Sequence, residues 1–304
     1  MNQPPFFSII IPVYNGGDPF QRSLAALPRS NFRNWELIVV DDGSTDDSAA
    51  IALSFGARVL QTGGRQGPAA ARNLGACLAY GTYLFFVDAD CELHPVTLGQ
   101  AAHHFESDPD LAALFGAYDD SPAAPNFIAQ YKNLFHHYVH LHSNPDASTF
   151  WTGCGAIRRS VFLALGGFDA RRYRRPSIED IELGYRLKQA GGRIRLAGEM
   201  QVKHLKAWTF AGLLRSDILE RGIPWSQLMW RSRAFLSDLN LQTHNRVSVA
   251  ALYGLLLALL VSLFQPLALA VVLVLVAVLL WLNAALYRFF CQQRGYLFTL
   301  KAIP

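Results

Sequence analysis

Short apolar runs alternate with helical patterns along residues 1–120 of the chain. Four of the apolar runs predict buried β-strands, at residues 6–12, 35–40, 58–61 and 83–87. Turn and capping residues separate these runs, and helical patterns fill the intervals between them. Because this alternation is typical of βαβ units, we predict an α/β domain with a mostly parallel central sheet.

The pattern changes near Arg246, after which no residue is charged from Val247 to Leu286. Gln265 and Pro266 divide this stretch into two apolar runs, at residues 247–264 and 267–286. Each run approaches the ~20 residues that a helix needs to cross a membrane. Since proline favours a break between helices, we predict a transmembrane helical hairpin. The alternative is a buried helical pair in a soluble core.

Apolar residues alternate with arginines in the segment that precedes the hairpin. The segment contains Trp208, Phe210, Leu213, Leu214, Arg215, Ile218, Arg221, Ile223, Trp225, Leu228, Trp230, Arg231 and Arg233. This mixture is typical of helices that lie in the headgroup layer of a membrane. We therefore predict an amino-terminal α/β domain over residues 1–205, interfacial helices over 206–246, and the hairpin with a cytoplasmic tail over 247–304.

Composition and charge limit the class of protein. The 304 residues carry 27 Lys and Arg against 23 Asp and Glu, a formal net charge of +4 that is too small for a nucleic-acid-binding protein. The four cysteines are scattered without a CxxC pair, which argues against a disulfide framework or a structural zinc site. No cleavable signal peptide is evident in residues 1–7, so we expect the amino-terminal domain in the cytoplasm.

Acidic residues follow two of the predicted strands. Asp41 and Asp42 come directly after the second strand, and Asp88 and Asp90 follow the fourth. The carboxyl ends of parallel strands meet at one edge of a sheet, where α/β proteins bind ligands. An Asp-x-Asp pair alone is common in solvated loops. Its position after a fully apolar strand nevertheless favours a divalent cation that carries a diphosphate.

A series of motifs makes the chain recognisable. SIIIPVYNGG, ELIVVDDGSTDDS, GPAAARNLGA and LFFVDAD are followed by WTGCGAI at residues 151–157, GGFD at 166–169, IEDIELGYRLKQAG at 178–191 and VKHL at 202–205. In this order and spacing they resemble family 2 glycosyltransferases, over about residues 5–240. The resemblance implies a GT-A catalytic domain that transfers a sugar from a nucleoside-diphosphate sugar with inversion at the anomeric carbon.

The resemblance also implies roles on the donor side of the site. Pro12 and Tyr14 would line the base, Asp42 would accept a hydrogen bond from a ring NH of a uridine-type nucleotide, Arg72 would approach the base or diphosphate, Asp88 would lie near the ribose, and Asp90 would bind the metal. His204 matches the position that supplies a second ligand to this metal; the alternative is a histidine packed at a strand end. Mg²⁺ and Mn²⁺ are the candidate ions, because carboxylates are hard ligands.

On the acceptor side, Glu179 and Asp180 fall where the family carries the catalytic carboxylate. We predict that Asp180 deprotonates the acceptor hydroxyl and that Glu179 supports it. Alternatively, Asp180 is only a helix cap that bonds back to the amide of Ser177, and a helix amino terminus would hold its pKa low. Trp151 and Gly153 resemble the floor under donor sugar and acceptor.

The interfacial segment suggests the nature of the acceptor. Trp225 and its neighbours would hold the acceptor side of the pocket against the bilayer, so we predict a lipid or lipid-linked acceptor at the cytoplasmic membrane. The arginines of residues 171–175 either close over the diphosphate, contact anionic lipid or are solvated. The histidines of residues 135–142 predict a helical surface. Two other functions stay open: a nucleotidyltransferase on a similar sheet, and a catalytically silent membrane scaffold.

Overall fold

The computed structural model describes residues 4–232 and 243–303. The chain divides into two compact units, Met1–Ala234 and Phe235–Pro304. The predicted interfacial segment therefore has residues 206–232 in the first unit, while its residues 233–242, Arg233 among them, lie outside the described residues. The domain boundaries at residues 205 and 246 stay predictions.

A nine-stranded sheet forms the centre of the described part of the first unit. Its strands are β1 (Phe7–Val13), β2 (Trp35–Asp41), β3 (Arg58–Gln61), β4 (Tyr83–Val87), β5 (Cys91–Leu93), β6 (Leu111–Tyr118), β7 (Asp146–Ala147), β8 (Cys154–Arg158) and β9 (Arg193–His204). They lie in the order β3-β2-β1-β4-β8-β6-β9-β5, and β7 pairs with β9. The four strands predicted from the apolar runs are β1 to β4.

The sheet is mixed, so the prediction of a mostly parallel sheet is wrong. The pairs β3–β2, β2–β1, β1–β4 and β6–β9 are parallel. Strand β8 lies between β4 and β6 and runs antiparallel to both, and β9 runs antiparallel to β5 and β7. The apolar runs predicted only the parallel half. Residues distant in sequence determine the pairing of the later strands.

Helices pack on the sheet and connect its strands. In the first unit they are α1 (Gly17–Ala26), α2 (Ser48–Ser54), α3 (Pro68–Cys77), α4 (Thr97–Ser107), α5 (Phe127–Leu141), α6 (Arg159–Ala164), α7 (Glu179–Gln189), α8 (Phe210–Arg215), a π-helical turn (Ser216–Gly222) and α9 (Ile223–Ser232). Helix α3 packs on β1 and β2, α5 on β6, and α4 on β9. The core is formed by the central strands, and all eight residues of β6 are buried.

The histidines of α5 are buried, so the prediction of a helical surface there is wrong. His136, His137 and His140 lie on the face of α5 that packs against the sheet. The Nδ1 atoms of His137 and His140 donate to the carbonyls of Tyr118 and Gly116, at 2.6 and 3.0 Å. The register of β6 shifts against β9 between Phe115 and Ala117, near these carbonyls. Polar side chains can therefore be buried here without losing their hydrogen bonds.

The second unit is helical in its described part. Its helices are α10 (Thr243–Ser262), α11 (Ala268–Leu282), α12 (Ala284–Arg294) and α13 (Tyr296–Ala302). Asn283 Nδ2 lies 3.4 Å from Ser248 Oγ, and a Cβ added to Gly254 would contact Leu275 at 3.5 Å. The first contact joins the end of α11 to the start of α10, and the second joins the middles of the two helices, so they form an antiparallel pair.

Among the described residues, α10 is the one helix that is long and apolar enough by itself to cross a membrane. Helix α11 ends at Leu282, earlier than the predicted end at residue 286. It reaches sufficient length only together with α12, from which it is bent by 60°. That the pair crosses a membrane stays a prediction.

Candidate active site

The ends of β1 and β2 bring two polar loops together. Val13 lies opposite Asp41 in the parallel register, and the Asp42 amide donates to the Val13 carbonyl at 2.8 Å. Asn15 then accepts a hydrogen bond from the Thr45 amide at 2.7 Å. Tyr14, in the first of these loops, is exposed. The guanidinium of Arg65 lies over its ring, 4.1 Å from the ring centroid. Pro12, the preceding site candidate, is partly buried at the end of β1.

Asp42 is buried and holds the loop that leads into α3. Its carboxylate accepts hydrogen bonds from Thr62 Oγ1 and the Gln66 amide, both at 2.8 Å, and from the Gly67 amide at 2.7 Å. Gly67 has φ +95°, and an added Cβ would collide with the Arg174 carbonyl oxygen. Since a carboxylate offers about four lone-pair positions, one remains for the predicted base NH.

Arg72 connects the two sides of the site. It extends from α3, is only 4% exposed, and donates from Nη2 to Asp88 Oδ1 at 2.7 Å and from Nη1 to Glu179 Oε1 at 2.8 Å. Burial by itself would lower the pKa of this guanidinium, but Asp88, Glu179 and Asp180 outweigh it and raise the pKa. Arg72 therefore stays charged and joins the end of β4 to the start of α7.

The two acceptor-side carboxylates have different partners. Glu179 accepts a hydrogen bond from Arg72 through Oε1 and one from the Ser177 amide through Oε2, the latter at 3.0 Å. Asp180 accepts hydrogen bonds from the Thr152 amide and hydroxyl through Oδ2, at 3.2 and 3.3 Å, and from the Ile181 amide through Oδ1, at 2.8 Å. The capping bond to Ser177, which the sequence offered as an alternative for Asp180, is thus made by Glu179. Asp180 is left facing Thr152.

Asp180 has a raised pKa. Burial and the neighbouring Glu179 raise it to about 6, although Arg72, the Thr152 amide and Arg221 act in the opposite direction. The expectation that a helix amino terminus would hold this pKa low is therefore wrong, because loss of solvent and a like charge outweigh the helix. A carboxylate with such a pKa can take a proton near neutral pH.

His204 lies beside Asp90 because β5 pairs with β9. Cys91 is opposite His204, and the Leu205 amide donates to the Asp90 carbonyl at 2.8 Å. The His204 Nε2 is 3.6 Å from Asp90 Oδ2, and its ring stacks on Tyr118 at 4.3 Å. Burial would raise the pKa of Asp90, but the nearby His204 and the charge of Lys206 lower it below its usual value.

Asp88, Asp90 and Cys91 form a cluster with the composition of a candidate metal site. One potential ligand atom from each lies within 4.8 Å of the others. Cys91 is fully buried, which raises its pKa well above the usual value and keeps the thiol protonated. The two carboxylates, with His204 next to Asp90, fit a hard divalent cation, whereas the Cys91 thiol does not.

The predicted floor lies next to these carboxylates. Val87 is opposite Cys154, so residues 152–153 lie beside Asp88. Trp151 packs edge-to-face against Tyr118 at 4.8 Å and His140 at 5.1 Å. A side chain at Gly153 would collide with the Trp151 ring, so glycine is required there.

Trp225 packs against α7. It lies on α9, is buried, and donates from Nε1 to the Tyr185 hydroxyl of α7 at 3.3 Å. Packing against α7 is sufficient to explain the burial of Trp225. Its predicted contact with the acceptor stays a prediction that rests on the sequence.

Two cations near the acceptor side were not predicted as site residues. Arg221 Nη1 is 3.3 Å from His136 Nε2, and its charge lowers the pKa of Asp180. Lys132 is buried in α5 and pairs with Asp217; burial and the charge of Arg221 lower its pKa to about 8. The π-helical turn brings Asp217 and Arg221 against α5. No local sequence pattern indicates this contact.

The chain belongs to a known family. Residues 8–166 match the family described as Glycosyl transferase family 2, and this range is more than half of the chain. The site built from Arg72, Asp88 and Asp90 lies within the matched range. Glu179, Asp180 and His204 lie beyond it.

Several relatives carry glycosyltransferase names. The O-antigen chain rhamnosyltransferase RfbN of Salmonella typhimurium is 25% identical over 240 residues, which cover 72% of this chain and 74% of that protein. The uncharacterized glycosyltransferase YibD of Escherichia coli is 39% identical over 31% of this chain and 29% of its own length. The pre-mycofactocin glycosyltransferase of Mycobacterium tuberculosis is 29% identical over 65% of this chain and 42% of its own length. The last two relatives are thus matched over less than half of their lengths.

Solved structures share the fold. The mannosyltransferase PcManGT from Pyrobaculum calidifontis, in complex with GDP-Man and Mn²⁺, has a TM-score of 0.56 at 17% identity and covers 93% of this chain and 87% of its own. S. aureus TarS 1–349 in complex with UDP-GlcNAc has a TM-score of 0.54 at 21% identity. The match covers 67% of this chain and 59% of the TarS chain. The fold is therefore a GT-A-like mixed α/β domain.

The raised pKa of Asp180 predicts a pH-dependent effect on stability. Below pH ~4 the carboxyl is protonated in both folded and unfolded chains; above about 6 the folded chain bears the full cost of its charge. Asp180→Asn should therefore unfold at nearly the wild-type temperature near pH 4 and at a higher temperature near pH 7. Thermal unfolding of the purified protein across this range measures the difference.

Asp110→Asn is the matched control, because Asp110 is an exposed carboxylate outside the site. A stability gain for Asp180→Asn that does not grow between pH 4 and 7 would contradict the electrostatic description of the site.

Proposed function

We propose that this family 2 glycosyltransferase transfers a sugar, with inversion, from a nucleoside-diphosphate sugar to the hydroxyl of a membrane lipid or lipid-linked glycan. The observation that carries the proposal is the position of Asp180. This carboxylate is hydrogen-bonded to Thr152 on the floor and has a pKa of about 6. Arg72 connects its neighbour Glu179 to Asp88 on the donor side.

Asp180 acts as the general base in this proposal. The acceptor hydroxyl binds above Thr152 and gives its proton to Asp180 as its oxygen attacks the anomeric carbon. The bond from that carbon to the diphosphate oxygen breaks at the same time, and the nucleoside diphosphate leaves with the electron pair. Glu179 is engaged by Arg72 and by the Ser177 amide, so it supports the site and takes no proton. Thr152 orients Asp180 with two hydrogen bonds. Trp151 stiffens the floor by packing against Tyr118 and His140.

The proposal includes a divalent cation, Mg²⁺ or Mn²⁺, which Asp90 and His204 would hold. When bound, such an ion supplies charge stabilisation to the departing diphosphate. Asp88 and Asp90 support this choice, because their carboxylate oxygens lie within 4.8 Å of one another and are of the type that these cations prefer. The neighbour from Pyrobaculum calidifontis has Mn²⁺ in its complex.

We further propose a uridine-type donor, for which Asp42 provides the recognition. Two of the structural neighbours are complexes with different nucleotides, UDP-GlcNAc and GDP-Man. The buried Asp42 carboxylate keeps one lone-pair position for a ring NH after it has accepted the Thr62 hydroxyl and the Gln66 and Gly67 amides. Guanine carries a ring NH as well, so binding of UDP against GDP measures this preference.

The proposed acceptor and location rest on exposed apolar surface. Phe210, Ile218, Leu219 and Trp230 are exposed on the helices that follow β9. Most side chains of α10 are also exposed, and only Ala258 is buried among them. Exposed apolar surface of this extent is typical of membrane contact. We therefore place the enzyme at the cytoplasmic membrane, with the catalytic unit in the cytoplasm.

An assay of the product released from nucleotide sugars distinguishes the proposed transferase from the two other functions, a nucleotidyltransferase and a catalytically silent scaffold. A nucleotidyltransferase would release pyrophosphate, and a silent scaffold would release nothing. The acidic residues at positions 179–180 disfavour a nucleotidyltransferase, which would need a basic, phosphate-accepting site there. Incubation of the full-length protein with nucleotide sugars and Mn²⁺ should release nucleoside diphosphate.

The assignment of Asp180 predicts a selective loss of turnover. Asp180→Asn keeps the shape and one oxygen that can accept the two Thr152 hydrogen bonds, but it cannot take a proton, so turnover should fall by about 10²–10⁴-fold while donor binding stays near the wild-type value. Steady-state kinetics and calorimetric titration with nucleoside diphosphate measure the two effects. Near-normal turnover in Asp180→Asn would refute its role as the base.

The cation assignment predicts a loss of metal binding. Asp90→Asn should weaken Mn²⁺ binding by about tenfold or more, because one charged ligand is lost, and should weaken nucleoside-diphosphate binding with it. Electron paramagnetic resonance of Mn²⁺ measures the first effect without any turnover, with Asp110→Asn as control. If a chelator left donor binding and transfer unchanged, the cation would not belong to the mechanism.

A further inference from the structure

The first unit contains a strongly cationic pocket that is not lined by the catalytic carboxylates. It has a volume of about 420 Å³ and lies between residues 172–177 and the helical segment 215–231. Five arginines line it, Arg172, Arg174, Arg175, Arg215 and Arg231, against one acidic residue, Glu220. We call this the arginine pocket.

Most arginines of the arginine pocket have no ion-pair partner among the described residues. Arg215 lies 3.3 Å from Glu220, but within residues 4–232 and 243–303 the side chains of Arg172, Arg174 and Arg175 form no ion pair. The excess of four positive charges in the pocket equals the formal charge of the whole chain, +4. Like charges gathered in a concavity repel one another, and a bound anion relieves this repulsion.

Tyr173 provides a second, independent indication of a ligand. It lines the pocket, is 5% exposed, and its hydroxyl has no hydrogen-bond partner among the described residues. Burial raises the pKa of Tyr173 to about 12, so the hydroxyl stays protonated and can donate. A buried hydroxyl without a partner is costly, and an oxygen of a bound ligand would satisfy it.

The rim of the pocket is apolar. Leu219, one of its lining residues, is 59% exposed, and Trp230 is 83% exposed. Trp230 lines an adjoining cavity of about 370 Å³ together with Arg172 and Arg231. A site with guanidinium groups inside and a tryptophan at its edge matches a molecule with a phosphate at one end and an apolar chain at the other.

The pocket is connected to the catalytic carboxylates through Ser177. Ser177 lines the pocket, its hydroxyl donates to the Glu220 carbonyl at 2.7 Å, and its amide donates to Glu179. Ser177 and Asp180 are three residues apart, so roughly 10 Å of chain separates them at most. A molecule anchored in the pocket could therefore present a nearby hydroxyl to Asp180.

We propose that the arginine pocket binds the phosphoryl group of an amphiphilic acceptor and so holds the acceptor hydroxyl beside Asp180. This inference rests on the proposed function and names the chemical class of its acceptor. Arginine suits the role better than lysine, because its planar fork pairs with two phosphate oxygens.

The test is a titration of the full-length protein in neutral detergent with short-chain phosphatidic acid. The comparison ligands are inorganic phosphate and diacylglycerol with the same chains. Arg175→Gln and Tyr173→Phe remove pocket groups, and Arg171→Gln is the matched control, because Arg171 is exposed and adjacent but does not line the pocket. Tyr173→Phe removes a hydroxyl that has no protein partner, so its unfolding temperature should not be lower than that of the wild type.

Phosphatidic acid should bind more tightly than either comparison ligand. Arg175→Gln should weaken its binding by about tenfold, since a charge-assisted pair is lost, Tyr173→Phe should weaken it to a smaller extent, and Arg171→Gln should leave it unchanged. Equal weakening by Arg171→Gln would overturn the proposal, because the effect would then be general electrostatics. Equal affinity for inorganic phosphate would overturn the amphiphile as ligand.

Binding of nucleoside diphosphate separates this pocket from the donor site. It should be the same in Arg175→Gln as in the wild type, and a parallel loss would assign the arginines to the donor diphosphate and overturn the proposal. Failure of the proposed function would appear differently, as absence of nucleoside-diphosphate release while phosphatidic acid still binds.

Discussion

The buried ion pairs of Arg72 hold the candidate active site together. One guanidinium joins Asp88 at the end of β4 to Glu179 at the start of α7, residues that are far apart in the sequence. Burial of a charge is costly unless it is paired and hydrogen-bonded, and here both terminal nitrogens of Arg72 have a carboxylate. Glu179 is thereby engaged in an ion pair. Asp180 is therefore the carboxylate next to the floor that is free to exchange a proton.

Local patterns predict much of the first half of the fold. The apolar runs predict β1 to β4, and the acidic residues that follow them do lie at the ends of these strands. The mixed sheet could not be predicted in this way, because β8 inserts between β4 and β6 through contacts distant in sequence. The burial of the α5 histidines depends on carbonyl groups of β6, which the helix sequence does not reveal.

The candidate site shows the same division. Its residue types and their order follow from the motifs, but their electrostatics depend on tertiary contacts. The helix position of Asp180 favours a low pKa, whereas burial and Glu179 raise it to about 6. Arg221 influences Asp180 only because the π-helical turn packs near α5. The sequence names the arginines of residues 171–175, and the fold combines three of them with Arg215 and Arg231 in one pocket.

The partners of the carboxylates bear on the course of the proposed reaction. Asp88 and Glu179 are both paired with Arg72, and Asp180 serves as base. A double displacement would require a carboxylate to act as nucleophile in addition to an acid or base. Arg72 engages Asp88 and Glu179, so the proposal assigns neither of them as a nucleophile, and the proposed transfer is a single displacement by the acceptor oxygen.

The stereochemistry of the product tests this account most directly. Proton nuclear magnetic resonance of the newly transferred sugar, compared with the donor, gives the anomeric configuration at both ends of the reaction. The account predicts that the configuration is inverted. A product with the configuration of the donor would contradict the single displacement and the role of Asp180 in it.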